Sequence, residues 1–204
     1  MYSRPTRVRR GLKREIPVRQ NLAGVIDSEL VLRVQAAGDR AAYGELVRRH
    51  QGALRAFLWR LAGNAAVADD LAQDTLIKGY DCIAAFRGQA AFRSWLFAIA
   101  YRGFLQGRRK AARYTRALNA SAEAAAPAPT VNPDTALDLQ RLLLTLPVEE
   151  RAALLLCDAC GLSHSEAAAA MALPLGTLKT YVQRARGKMR RALDAPEDIS
   201  CRIA

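Results

Sequence analysis

Histidine occurs only at His50 and His164 in this chain, and cysteine only at Cys82, Cys157, Cys160 and Cys201. So few imidazoles leave general acid–base chemistry with few candidates. The sequence also lacks a P-loop, a Ser-His-acid order and a dinucleotide-binding glycine pattern. Neither catalysis by this chain alone nor a cofactor is expected. Four cysteines in 204 residues do not make a disulfide-stapled secreted scaffold, which points to a reducing cytoplasm. No run of about eighteen apolar residues is present, so no direct membrane insertion is expected. The opening MYSRPTRVRRGLKREIPVRQ has one acid, Glu15, and no apolar signal stretch. It reads as a disordered basic tail or, alternatively, as an Arg-rich transit leader.

Acidic residues are scarce as well. Nineteen Asp and Glu face 31 Lys and Arg, for a net charge of +12. Such a balance is the electrostatic footprint of a nucleic-acid or anionic-surface binder. The 51% hydrophobic share is rich in alanine, so the cores must be small and helical.

Strand-like alternation is missing, and helical periodicity fills two blocks. In the first, Asp27 or Ser28 is expected to cap a helix through DSELVLRVQAAGD. A second helix places Tyr43, Leu46, Val47, Leu54, Phe57, Leu58 and Leu61 near one face and stops at Gly63-Asn64. A third should cover about Ala66 to Phe86, and a fourth about Phe92 to Arg109. The stretch YTRALNASAEAAAPAPTVNPDT has no apolar period and too little to bury, so it reads as a linker. The expectation is an all-α fold of two small helical domains joined by a flexible linker. Its boundaries are a basic tail at 1–26, a domain at 27–113, the linker at 114–135, a second domain at 136–195 and a tail at 196–204.

The second domain should contain a helix-turn-helix. Ser163 and Glu166 have capping-box spacing at the start of a short helix that ends near Ala172. Leu173 precedes Pro174 and is driven out of helical conformation, and Pro174 suits the first turn of the next helix. On that helix Leu178, Val182, Ala185 and Met189 share one face. Thr180, Gln183, Arg184 and Arg190 point away, with Lys179 on the flank. Long cations suit phosphates and guanine edges, and Gln suits adenine edges. A membrane-surface helix would need bulkier apolar residues that are not already committed to a core. The face therefore suits a DNA major groove; a solvated basic face is the bland alternative.

LPLGTLKTYVQRARGKMRRAL resembles the promoter-reading segment of bacterial sigma factors of the extracytoplasmic-function type. LPVEERAALLLCDACGLSHSEAA upstream is similar to the preceding helices in that family. DDLAQDTLIKGYDCIAAFRGQAAFRSWLFAIAYR resembles its other domain, through Asp70, Gln73, Asp74, Phe86-Arg87-Gly88, Phe92 and Trp95-Leu96. Two matches in the expected order across a linker are more specific than either alone. The chain departs from the pattern at Arg102, where the family often has Asn, and at Ala172, where the turn often has Gly.

The resemblance implies an alternative sigma factor that binds core RNA polymerase, directs it to promoters and is restrained by an anti-sigma factor. Asp70, Gln73 and Asp74 are spaced i, i+3, i+4 and share one stripe, which the resemblance assigns to polymerase. Phe86, Arg87, Phe92, Arg102, Arg108 and Arg109 fall to the minus-ten element, with aromatics placed to stack an extruded base of the single strand. Thr177, Lys179, Thr180, Gln183, Arg184 and Arg186 fall to the duplex minus-thirty-five element. A helix-turn-helix regulator that acts without polymerase, or a basic structural nucleic-acid binder, would share the basic face but have no use for the acidic stripe. Cys157, Cys160 and His164 have types and spacing that could hold zinc. Without a fourth ligand nearby, the cysteines read better as small buried hydrophobes.

Overall fold

The computed structural model describes residue 22, residues 24–119 and residues 135–194. The described residues form helices and turns, in the order α1 (Asp27–Ala37), α2 (Arg40–Ala62), α3 (Ala65–Cys82), α4 (Phe92–Asn119), α5 (Thr135–Thr145), α6 (Val148–Leu154), α7 (His164–Met171) and α8 (Leu175–Asp194). A single 3-10 turn follows α3 at Ile83–Ala85, and a π turn extends α6 at Leu155–Ala159. Of the expected basic tail at 1–26, residues 22 and 24–26 are described, and Leu22 is buried with its carbonyl accepting from Arg49. The rest of that tail, most of the linker and the tail at 196–204 with Cys201 lie outside the described residues.

In the first half, α1 to α4 enclose a core built from the apolar stripe of α2. Leu46, Leu54, Phe57, Leu58 and Leu61 are essentially sealed from solvent. Phe57 meets Phe97 of α4 edge to face at 5.2 Å between ring centres, the arrangement that ring quadrupoles favour. Gly79 is required by close approach. A Cβ there would stand 2.8 Å from the hydroxyl oxygen of Tyr43, which donates to the Leu76 carbonyl. α2 begins with Asp39 accepting from the N–H groups of Ala41 and Ala42. It ends at Gly63, whose φ of 73° is left-handed.

Two expectations for this half need correction. Neither Asp27 nor Ser28 caps α1: Ile26 takes the cap position without a side-chain bond. The Asp27 carboxylate is used elsewhere, 2.9 Å from Arg49 Nη1 and 2.6 Å from His50 Nε2. A charge-assisted pair outcompetes a local cap. The fourth helix also runs past Arg109 to Asn119. The segment after Arg109 is Ala- and Arg-rich without Gly or Pro, so nothing stops propagation there.

In the second half, α5 to α8 form a compact bundle. Ser163 and Glu166 make the capping box at the head of α7. Ala172 holds the turn between α7 and α8 in left-handed conformation, with φ 54°, so the geometry is kept without glycine. Leu178, Val182, Ala185 and Met189 of α8 are buried. Cys160 is buried, and burial pushes its thiol up to about 12. Cys157 is half-buried and its thiol is also raised, chiefly by burial.

The halves touch. Leu144 presses on Gly63, where a Cβ would lie 2.7 Å from its Cδ2. Gln140 Nε2 donates to the Trp59 carbonyl at 3.2 Å. On α4, Arg93 donates to the Cys160 carbonyl. Beside it, Ser94 donates to Glu166 Oε1 at 2.7 Å.

Candidate functional site

Charge is segregated on the surface. On α3, Ala68, Ala72 and Thr75 turn inward, which leaves Asp70, Gln73 and Asp74 exposed together on the opposite face. Helical spacing alone dictates this: inward residues at i, i+4 and i+7 force the stripe outward. The neighbouring Asp69 pairs with Arg55 at 2.7 Å.

α4 has the opposite sign. Its 28 residues contain no acid. Arg102, Arg108 and Arg109 are exposed, as are Lys110 and Arg113. Arg108 lies 5.9 Å from the centre of the Phe104 ring, within cation–π range. Arg108, Arg109, Arg113 and Arg116 line a cleft of about 700 Å³, together with Glu149.

The aromatic group lies between these surfaces. Phe92 is 5% exposed and packs between His50 and Trp95, at 5.6 and 5.7 Å. Phe86 is half-buried, 5.2 Å from Trp95 and 6.0 Å from Phe92. Gln35 of α1 anchors the segment before the loop, donating to the carbonyls of Ile83 and Phe86 at 2.8 Å each. Arg87 and Gly88 project from the loop, and Gly88 has φ 69°. Phe86, Arg87, Trp95 and Arg102 border a cleft of about 320 Å³. Phe92 lies beneath the cluster and does not border that cleft.

The far wall of the same cleft comes from the other half: Ala169 and Ala170 of α7. Sequence reasoning missed this wall and the side chains that hold it, Arg93, Ser94 and Glu166. One signal was available. Ser94 lies three and seven residues before Phe97 and Tyr101, on the buried stripe of α4, and is itself 5% exposed. A hydroxyl on a core stripe requires a partner.

On α8, Lys179, Thr180, Gln183, Arg184 and Arg186 are exposed, and Thr177 is half-buried. Thr180 is tied to its own helix, donating to the Gly176 carbonyl at 3.0 Å. Arg186 differs from its neighbours because its Nε donates to Asp158 at 3.0 Å, across the bundle. Lys188 reaches the buried Glu150 at 2.7 Å. Lys179, Gln183 and Arg184 therefore form the outward group beside these tethered cations. Among the described residues, no group of three or more His, Cys, Asp or Glu is placed to hold a metal. No described helix is long and apolar enough to cross a membrane.

Comparison with known proteins follows the same division. The sigma-70 region 2 family matches residues 46–114, and the sigma-70 region 4 family matches residues 136–189. The chain is 34% identical over 167 residues to the ECF RNA polymerase sigma factor SigM of Mycobacterium tuberculosis, covering 82% of this chain and 84% of that one. Among solved structures, it is similar to the sigma factor RpoE from Bartonella quintana in complex with the anti-sigma factor NepR. That match has a TM-score of 0.65 and 30% identity, over 76% of this chain and 98% of that one. CnrH, solved with the cytosolic domain of CnrY, matches with a TM-score of 0.64 and 27% identity, over 84% of this chain and 99% of that one.

Proposed function

This chain belongs to the extracytoplasmic-function sigma factors of RNA polymerase, and from that membership we propose how its surfaces divide the work. It binds core RNA polymerase, directs it to promoters and assists initiation. Residues 27–113 dock on the polymerase and take the minus-ten element; residues 136–195 take the minus-thirty-five element. The observation that carries this reading is the segregation of charge: an exposed acidic stripe on α3, against the acid-free α4 and the basic outward group Lys179 and Arg184 on α8.

Asp70, Gln73 and Asp74 grip a basic surface of the polymerase. Arg102, Arg108 and Arg109 follow phosphates. Phe86, with Arg87 at its rim, meets an unstacked base, and Phe92 supports Phe86 and Trp95 from below. On α8, Lys179, Gln183 and Arg184 reach base edges, while Thr177, Thr180 and Arg186 set the helix on the backbone. Strand opening is driven by capture of unstacked bases, without nucleotide hydrolysis, and the chain works in the bacterial cytoplasm without a cofactor.

The cleft beside Phe86 shares a wall with α7. A base entering it requires α7 to withdraw from α4. We assign the arrangement described here to a closed form, and the partner that holds it closed in the cell to an anti-sigma factor. Both solved relatives named above were captured with such a protein or a partner's cytosolic domain.

The test is co-purification and in vitro transcription with core polymerase and a promoter library. The pair Asp70→Lys and Asp74→Lys should abolish co-purification while helicity and Tm stay unchanged. Undiminished co-purification of the double variant would show that the polymerase contact lies outside this stripe. Only failure of the wild-type chain to co-purify would favour a helix-turn-helix regulator that works without polymerase.

A further inference from the structure

Arg151 on α6 is used by neither the polymerase face nor the promoter faces. It is 6% exposed. Among the described residues, its Nε and Nη1 have no hydrogen-bond partner. Burial holds its pKa below the ordinary guanidinium value, and the Arg108 cation adds to this; Glu149 acts in the other direction. A guanidinium does not shed its proton in a protein, so the charge persists. Enclosing a cation with two of its N–H positions unsatisfied is costly for a fold.

Arg151 lines a cavity of about 470 Å³ where the two halves meet. Leu61 and Leu71 supply walls from α2 and α3, Phe104 from α4, and Leu144 and Val148 from the second half. Among the described residues, the only other charged residue in the lining is Arg108, and no acid is among them. A chamber of a few hundred cubic ångströms, largely apolar and with a few convergent polar groups, has the form of a small-molecule site. The lining specifies the ligand class. Two cations with no carboxylate beside them in the described lining, Glu149 standing outside it, call for an anion; the Leu, Val and Phe walls call for hydrocarbon.

We propose that this cavity binds a small amphiphilic acid, with its carboxylate on Arg151 and Arg108 and its hydrocarbon body against Leu61, Leu71, Phe104 and Val148. Such a ligand touches both halves at once. It therefore stabilises the closed arrangement and opposes the withdrawal of α7 from α4. A carboxylate is held more firmly by paired guanidinium groups than by one, and the hydrocarbon contributes in proportion to the area it buries.

The experiment uses the full chain, without DNA or polymerase, so it is independent of the function proposed above. Decanoate, decanol and inorganic phosphate are titrated near neutral pH and below micelle formation, read by calorimetry and by Tm. Decanoate is expected to bind saturably at one site. At roughly a hundredfold excess over its Kd it should raise Tm by about 5–10 °C. Decanol and phosphate should each do far less. Arg151→Met should abolish the decanoate response. Val148→Phe, which narrows the chamber but keeps both arginines, should abolish it too. If Arg151→Met fails to fold, the wild-type titrations and Val148→Phe decide. No saturable decanoate binding, an equal response to decanol or to phosphate, or a response retained in either variant overturns the proposal. A cavity filled by the acidic side chain of a protein partner would give the first of these results.

Discussion

Ser94 donates a 2.7 Å hydrogen bond to Glu166 across 72 residues of chain, and Glu166 is also the residue that closes the capping box of α7. One carboxylate thus serves two structures. It accepts from the Ser163 hydroxyl at 2.7 Å and the Ser163 N–H at 2.9 Å, and with its other oxygen it joins α7 to α4.

Removing only the second role should loosen the closed form without unwinding α7. Ser94→Ala is expected to shift the open-to-closed ratio by roughly fivefold, from the loss of about 1 kcal/mol. Glu166→Ala should cost about 1 kcal/mol more, because the cap is lost as well. Distances between spin labels at Gln51 and Arg191, both exposed, would report the opening. Identical distance distributions in wild type and Ser94→Ala would show that the bond holds nothing.

Acid should have the same effect as these substitutions. Donation by the Ser163 side chain, then by its N–H, then by Ser94 holds the Glu166 carboxyl below the ordinary glutamate range. A carboxyl depressed in the folded state contributes stability that is fully present above the unfolded pKa and lost as pH falls through the folded value. The closed form should therefore weaken on acidification and not on alkalinisation. Glu45, lowered to about 2 by hydrogen bonds from Arg48 and Arg49, pairs within α2 at the surface, where solvent screens the interaction, and adds little to this response. The specific readout is the label distance in Glu166→Gln, which should no longer respond to acid.

Ala172 has a left-handed backbone, with φ 54°, which costs a residue with a Cβ about 1–2 kcal/mol. Ala172→Gly removes that strain but adds about 0.4–1 kcal/mol of unfolded-state entropy. The net expectation is a gain of up to about 1 kcal/mol and a Tm higher by about 2–4 °C. A lower Tm would mean that the methyl group makes contacts worth more than the strain.

Arg184→Ala should cost about 1–3 kcal/mol of promoter binding and relax preference at one base position. Arg190→Ala should weaken all sequences alike and reduce the salt slope by about 1. Binding to a library of minus-thirty-five duplexes at fixed salt separates the two. If both variants act uniformly, Arg184 holds the backbone and does not read a base.

Much of the local structure was legible because its causes are local. The stripe of α2, the Gly63 stop, the Ser163–Glu166 box and the α8 core face all follow from spacing within one helix. The first-helix cap was misjudged because Asp27 is claimed by Arg49 and His50, more than twenty residues away. The wall that α7 lends to the aromatic cleft had no periodic signature, and the place of Ser94 on the buried stripe of α4 marked it as needing a partner without saying which. Contacts between halves depend on how two finished surfaces meet. The same holds for Arg151: on a short helix of residues VEERAAL it looks like one more surface cation, and only packing reveals that it is enclosed.

The inward residues of α8, Leu178, Val182, Ala185 and Met189, serve the bundle alone, while Lys179, Gln183 and Arg184 serve none of it. Substitution on the outer side therefore leaves the scaffold's stability nearly untouched. A lineage that carries this helix can drift from one set of target genes to another through single, tolerated steps, and its regulon can change faster than its architecture.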